Sequence, residues 1–231
     1  MFIAETFYSI QGEGELAGVP SFFIRTSGCN LRCRWCDTPY ASWKPEGEQH
    51  TIESLMQLAL ETPAKHCVIT GGEPMVASGI RELCRGLKRL GFHITIETAG
   101  TVPPEDIACD LASISPKLAN STPHPEEIED EWRLRHEQRR LNFDALRSWI
   151  ATYPYQLKFV ICNPEDIVEI EALIASLGVI IPPHKVLLMP EGREDDILQR
   201  RERSLTKLCL ERGYRLCSRW QIRLFGDTRG T

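Results

Sequence analysis

No run of 18 apolar residues occurs in this 231-residue chain, so no segment reads as a transmembrane helix. The opening stretch, MFIAETFYSIQGEGE, lacks a basic segment followed by an apolar core, so it is not expected to act as a secretory signal. No basic tail or stripe is present either. Lys and Arg total 27 against 32 Asp and Glu, a net charge of −5, so neither a nucleic-acid nor a membrane partner is expected. Internal repeats and low-complexity tracts are also missing. The nine cysteines are an odd number, which excludes a complete disulfide framework. Reduced thiols set the expected location in the cytoplasm. A chain of this length buries most of its unfolded surface without staples. One domain, 1–231, is expected.

What is present is a rhythm. Short β-rich runs alternate with runs of helical spacing. Strands are expected at Ser21–Thr26, His66–Thr70, Phe92–Thr98, Ile107–Ser115, Gln156–Cys162 and Lys185–Met189. Helices are expected at Thr51–Glu61 with Thr51 as N-cap, at Gly79–Gly91, at Phe143–Tyr153, from Asn163 as N-cap to Gly178, and from Asp195 to Gly213. Such alternation predicts an α/β fold, a mostly parallel sheet forming a partial, open TIM-like barrel of about six β/α units. Ligands then gather at the C-terminal strand ends. Two segments stand apart. Residues 1–20 form an N-terminal extension with a short strand. Residues 117–142, polar and interrupted by proline, read as a loop and an exposed helix, a lid or an interface.

Three cysteines follow the first strand of this rhythm, in SGCNLRCRWCDT: Cys29, Cys33 and Cys36. Their thiolates suit zinc or an iron–sulfur cluster. A structural zinc closes its tetrahedron with four protein ligands, and no fourth is evident. His50 lies in a polar loop. The remaining cysteines, Cys67, Cys84, Cys109, Cys162, Cys209 and Cys217, read as small buried hydrophobes. A [4Fe–4S] cluster on three thiolates leaves one iron open. The second strand ends in ITGGEP. Gly71 and Gly72 permit close backbone approach there, and Glu73 is suited to an ammonium partner. An ordinary tight turn is the plainer alternative. Later strands carry Glu97 and Thr98, then Ser115, Pro116 and Lys117, then Gln156 and Lys158.

The C-x3-C-x2-C loop with Trp35 before the last cysteine, followed by GGEP, resembles the signature of the radical S-adenosylmethionine (SAM) superfamily. The resemblance implies that the open iron chelates SAM and that the reduced cluster cleaves it to a 5′-deoxyadenosyl radical. It assigns SAM contacts to Trp35, Cys36, Asp37, Gly72, Glu73, Glu97, Ser115, Pro116, Lys117, Gln156 and Lys158.

A narrower likeness runs through FYSIQGEG, GVPSFFIRTSGCNLRCRWCDT, VITGGEP, IETAGT, SPK and QLKFV. These resemble the 7-carboxy-7-deazaguanine synthase family. Membership implies ring contraction of 6-carboxy-5,6,7,8-tetrahydropterin to 7-carboxy-7-deazaguanine with loss of ammonia, serving queuosine or another 7-deazapurine. It implies a flavodoxin or ferredoxin reductant and a homodimer. Ile10, Gln11, Gly12 and Glu13 then face the pterin edge, where an amide and a carboxylate match its donors and acceptors. Arg25 is suited to the substrate carboxylate as a bidentate fork, with a salt bridge to a neighbouring helix as the plainer alternative. Thr70 is a further substrate contact, and Thr38 a ligand to Mg²⁺, a hard ion that favours oxygen. The tail, RWQIRLFGDTRGT, lacks the His–Lys pair associated with many members. A glycyl-radical activase and a zinc-binding module are the rival readings.

Overall fold

Residues along each parallel strand alternate between two faces. In the computed structural model, which describes residues 1–231, β2 (Pro20–Thr26) sends Phe22 and Ile24 into the main core. Phe23 and Arg25, between and beyond them, face a cavity instead. On β4 (His66–Gly71), Cys67 and Ile69 enter the core while Val68 and Thr70 line the cavity. On β7 (Tyr155–Ile161), Leu157, Phe159 and Ile161 are core residues, and Lys158 and Val160 line the cavity.

These strands belong to one nine-stranded sheet in the order β3-β1-β2-β4-β5-β6-β7-β8-β9. From β2 onward every pairing is parallel, through β5 (His93–Thr98), β6 (Leu111–Ile114), β8 (Val186–Pro190) and the two-residue β9 (Arg215–Leu216). β1 (Phe2–Ile10) and β3 (Glu48–Gln49) add an antiparallel edge. The two ends of the sheet do not pair, so the barrel stays open. Helices α1 (Ile52–Leu60), α2 (Ile80–Arg89), α4 (Phe143–Thr152), α5 (Asp166–Leu177) and α6 (Asp195–Arg212) connect the strands, and their apolar faces complete the core. Thr51 caps α1 by accepting the Ser54 amide at 3.1 Å, as expected. No helix is long and apolar enough to cross a membrane.

Several expectations need correction. The N-terminal strand is nine residues long and pairs with β2 along its length, stacking Phe7 on Phe23 with ring centroids 4.7 Å apart. The β5–β6 connection carries no helix. β6 begins at Leu111 rather than Ile107, because the Asp110 carboxylate takes the Ile94 amide at 2.8 Å and turns the chain into the strand. Asn163 does not cap α5. Asp166 accepts the amides of Cys162 and Asn163 instead, at 2.8 and 3.1 Å. Cys109 and Cys162 are only partly buried. The short elements β3, β9 and α7 (Trp220–Phe225) carry too few residues for a periodic signal. Between β6 and β7, α3 (Asp130–Arg139) is mostly exposed, with Trp132, Arg133 and Arg135 half-buried and His136 only 1% exposed.

Candidate active site

The cavity lies on the C-terminal side of the sheet, lined from β1, β2, β4, β5, β7 and β8, with Ser115 and Lys117 just beyond the end of β6. Cys29, Cys33 and Cys36 all line it. They sit on a loop without regular secondary structure, whose backbone groups are satisfied by neighbours. Gly28 N–H donates to Ala41 O at 2.8 Å, and the Trp43 indole donates to Cys33 O at 2.9 Å. The Leu31 amide points at Cys29 Sγ, 3.3 Å away, and Ser42 Oγ lies 3.1 Å from Cys36 Sγ. Donors of this kind tune the sulfurs of an iron–sulfur cluster. No three His, Cys, Asp or Glu side chains close to the spacing of a single-ion site. Three thiols on one cavity wall, each close to a donor or buried, fit a cluster better than a lone zinc. Burial pushes the Cys29 thiol up to about 12 and raises Cys33 as well, so loading iron must displace protons.

Gly72 carries the second motif against this loop. A Cβ there would lie 2.3 Å from Gly28 O, 2.5 Å from Ala41 O and 2.7 Å from Cys29 Cβ. Only glycine permits the contact. Glu73 departs from expectation. Its carboxylate is fully buried and accepts from Met75 N (3.1 Å), Thr98 Oγ1 (2.8 Å) and Ala99 N (2.8 Å). It braces the GGEP turn against the end of β5 and does not line the cavity.

The opposite wall is a chain of charges. Lys158 Nζ donates to Glu13 Oε2 at 2.6 Å and to Glu97 Oε2 at 3.0 Å. Glu13 Oε1 accepts from Arg219 Nε at 3.1 Å and Gln221 Nε2 at 2.7 Å. Arg219 continues to Asp37 and to Gly192 O. Gln11 Nε2 donates to Glu97 Oε1 at 3.2 Å. Burial alone would raise the Glu13 pKa, but the Lys158 and Arg219 cations outweigh it and hold the carboxyl well below the usual range. Burial likewise works against the Lys158 charge, and Glu13 and Glu97 overcome it, so its pKa is raised. Arg25 pairs with Glu5 at 2.6 Å on the adjacent strand, not with a helix, while still lining the cavity.

Ile10, Gln11, Gly12, Glu13, Arg25, Trp35, Asp37, Thr38, Thr70, Gly72, Glu97, Ser115, Lys117 and Lys158 line the same cavity as the three cysteines. Pro116 and Gln156 do not. Gln156 is buried one layer below, holding the Glu15 amide at 2.7 Å and Ser113 Oγ at 2.8 Å. The tail reaches the site although it lacks the His–Lys pair. Gln221 and Thr231 line the cavity, and Arg219 braces it. A lone Arg before a short helix has no periodic or motif signal to reveal it.

The open parallel sheet and the three-thiol loop at its strand ends define a radical SAM enzyme, and the profile of the Radical SAM superfamily matches residues 23–148. A 7-carboxy-7-deazaguanine synthase of Rhodopirellula baltica is 48% identical over 234 residues, spanning 100% of this chain and 89% of the relative. Another from Halobacterium salinarum is 42% identical over 237 residues, spanning 99% and 92%. The crystal structure of QueE from Escherichia coli superposes with a TM-score of 0.68 at 27% identity, covering 94% of this chain and 92% of that one. Within the superfamily, the chain belongs to the 7-carboxy-7-deazaguanine synthase family.

Proposed function

We propose that this chain converts 6-carboxy-5,6,7,8-tetrahydropterin to 7-carboxy-7-deazaguanine with release of ammonia, as a step toward queuosine or a related 7-deazapurine. The observation that carries the reading is the single cavity that brings Gln11, Glu13 and Arg25 opposite Cys29, Cys33 and Cys36. A glycyl-radical activase would have no use for that buried polar wall. The cluster and SAM, when bound, supply a radical that takes a hydrogen atom from the substrate.

The chain's own residues orient the substrate. Arg25, tied to Glu5 on one edge, offers the rest of its fork to a carboxylate. Gln11 and Glu13 supply acceptors to the amino-pyrimidine edge. Glu13 stays ionised because two cations flank it. Gly12 brings backbone close to the ligand. Asp37 and Trp35, beside the last cysteine, are assigned to SAM with Gly72, Glu97, Ser115, Lys117 and Lys158. Thr38, whose Oγ1 lies 3.8 Å from Cys36 Sγ, would supply a hydroxyl ligand to Mg²⁺. The assembly is read as a cytoplasmic homodimer reduced by a flavodoxin or ferredoxin.

The test is anaerobic reconstitution followed by SAM, Mg²⁺, reductant and the carboxypterin. Formation of the deazaguanine product is expected, and Thr38→Ala should keep its iron while losing the Mg²⁺ dependence of turnover.

A further inference from the structure

Apart from Lys117, the polar segment 117–142 is absorbed by none of the roles above, yet it meets the cluster loop through three hydrogen bonds. The Arg32 amide donates to His136 Nδ1 at 3.1 Å. The Arg34 amide donates to Ser121 O at 2.9 Å. The Trp35 indole donates to Asn120 Oδ1 at 3.1 Å. Arg32 and Arg34 flank Cys33, the middle thiol of the three. The guanidinium of Arg32 also lies over the Trp132 ring, 4.1 Å from its centroid.

The hydrogen bonds around His136 admit one arrangement. An amide can only donate, so Nδ1 must be the unprotonated acceptor. Ser121 Oγ gives its proton to Leu118 O at 2.6 Å, so it accepts at 3.0 Å from the Nε2–H of His136. The ring is neutral, of one tautomer, and almost wholly buried. Asn120 is anchored in turn. Its Nδ2 donates to Val160 O at 3.1 Å and to Asp166 Oδ2 at 2.7 Å, at the end of β7 and the start of α5. The chain of contacts therefore runs from the sheet, through 118–121 and α3, to the backbone on both sides of Cys33.

We propose that segment 117–142 is a clasp that fixes the cluster loop, with His136 as its positioning residue. The loop has no strand or helix of its own to hold Cys33. Trp43 takes the Cys33 carbonyl from one side, and the clasp takes the neighbouring amides from the other. His136 touches no reacting atom. It acts through Arg32. The inference rests on the loop being the holder of the cluster, but the clasp itself exists in the metal-free chain and is testable there.

The experiment is peptide-resolved hydrogen exchange on the full metal-free chain, with chelator-driven iron loss measured on the reconstituted one. Losing one buried acceptor should speed amide exchange across 31–35, and iron loss, by about tenfold in His136→Ala. His136→Asn sets a carbonyl oxygen near the Nδ1 position and should restore most of both. A merely structural α3 would loosen 130–139 in the alanine variant and leave 31–35 unchanged; that result overturns the proposal. So does an asparagine variant as fast as the alanine one. If His136→Ala does not fold, Asn120→Ala carries the same test, with faster exchange at 31–35 expected and unchanged exchange overturning it. Iron uptake by the unsubstituted chain tests the cluster reading separately, because the exchange measurement needs no metal.

Discussion

Glu13 and Lys158, 145 residues apart in sequence, meet at 2.6 Å inside the cavity wall. Both side chains are nearly excluded from solvent, with 14% and 5% of their surface exposed. The pair welds the N-terminal loop to the middle of the sheet. Removing the cation leaves two buried carboxylates short of a partner. Lys158→Met should therefore destabilise the fold by about 3 kcal/mol. Anaerobic urea unfolding measures this, and an unchanged midpoint would contradict it.

Gly72 gives the second prediction. An added methyl would meet backbone oxygens of the cluster loop, which cannot rotate away as a side-chain tip would. Overpacking of this kind costs about 1–3 kcal/mol, taken up by moving the loop. Gly72→Ala should fold but hold less iron after reconstitution than the parent. Full iron content in that variant would show that the contact does not constrain the loop.

The tail supplies the third. Arg219 joins Glu13, Asp37 and Gly192, so it couples the substrate wall to the cluster loop. Lysine keeps the charge but cannot reach three acceptors in a fork. Arg219→Lys should raise the KM for the carboxypterin by about tenfold, the worth of one charge-assisted hydrogen bond. Steady-state kinetics decide this. Unaltered KM would mean that the tail is only packing.

An acid-sensitive group lies away from the site. His66 lies between Ser21 Oγ and Thr95 Oγ1, 2.7 Å from each. Burial lowers its pKa from 6.5 to about 4, with His93 adding to the effect. The unfolded chain then takes a proton that the folded chain refuses. Stability from this residue is full above pH 6.5 and lost as pH falls toward 4, on the order of 3 kcal/mol in all. His66→Asn should flatten that part of the stability–pH curve. The same slope in variant and parent would assign the loss elsewhere.

Much of this arrangement is legible in the residues, for definable reasons. Strands such as Phe22–Arg25 and Leu157–Ile161 are legible as short β-rich runs, and the structure adds the alternation of core and cavity positions along them. Cys29, Cys33 and Cys36 announce themselves because metal chemistry demands thiols at short spacing. Glu73 was misleading because its type suits a ligand, while its neighbours Thr98 and Ala99 come from another strand. Arg219, Gln221 and His136 were silent for the same reason. Each acts through a partner at least 100 residues away, and no local pattern records such a meeting.

The central claim is that one cavity holds a radical source and a pterin clamp together. It is tested most directly by comparing product with SAM cleaved, using the reconstituted chain, Mg²⁺, reductant and 6-carboxytetrahydropterin. The account predicts 7-carboxy-7-deazaguanine whenever SAM is cleaved in the presence of that substrate. Cleavage of SAM with no deazaguanine formed would contradict it.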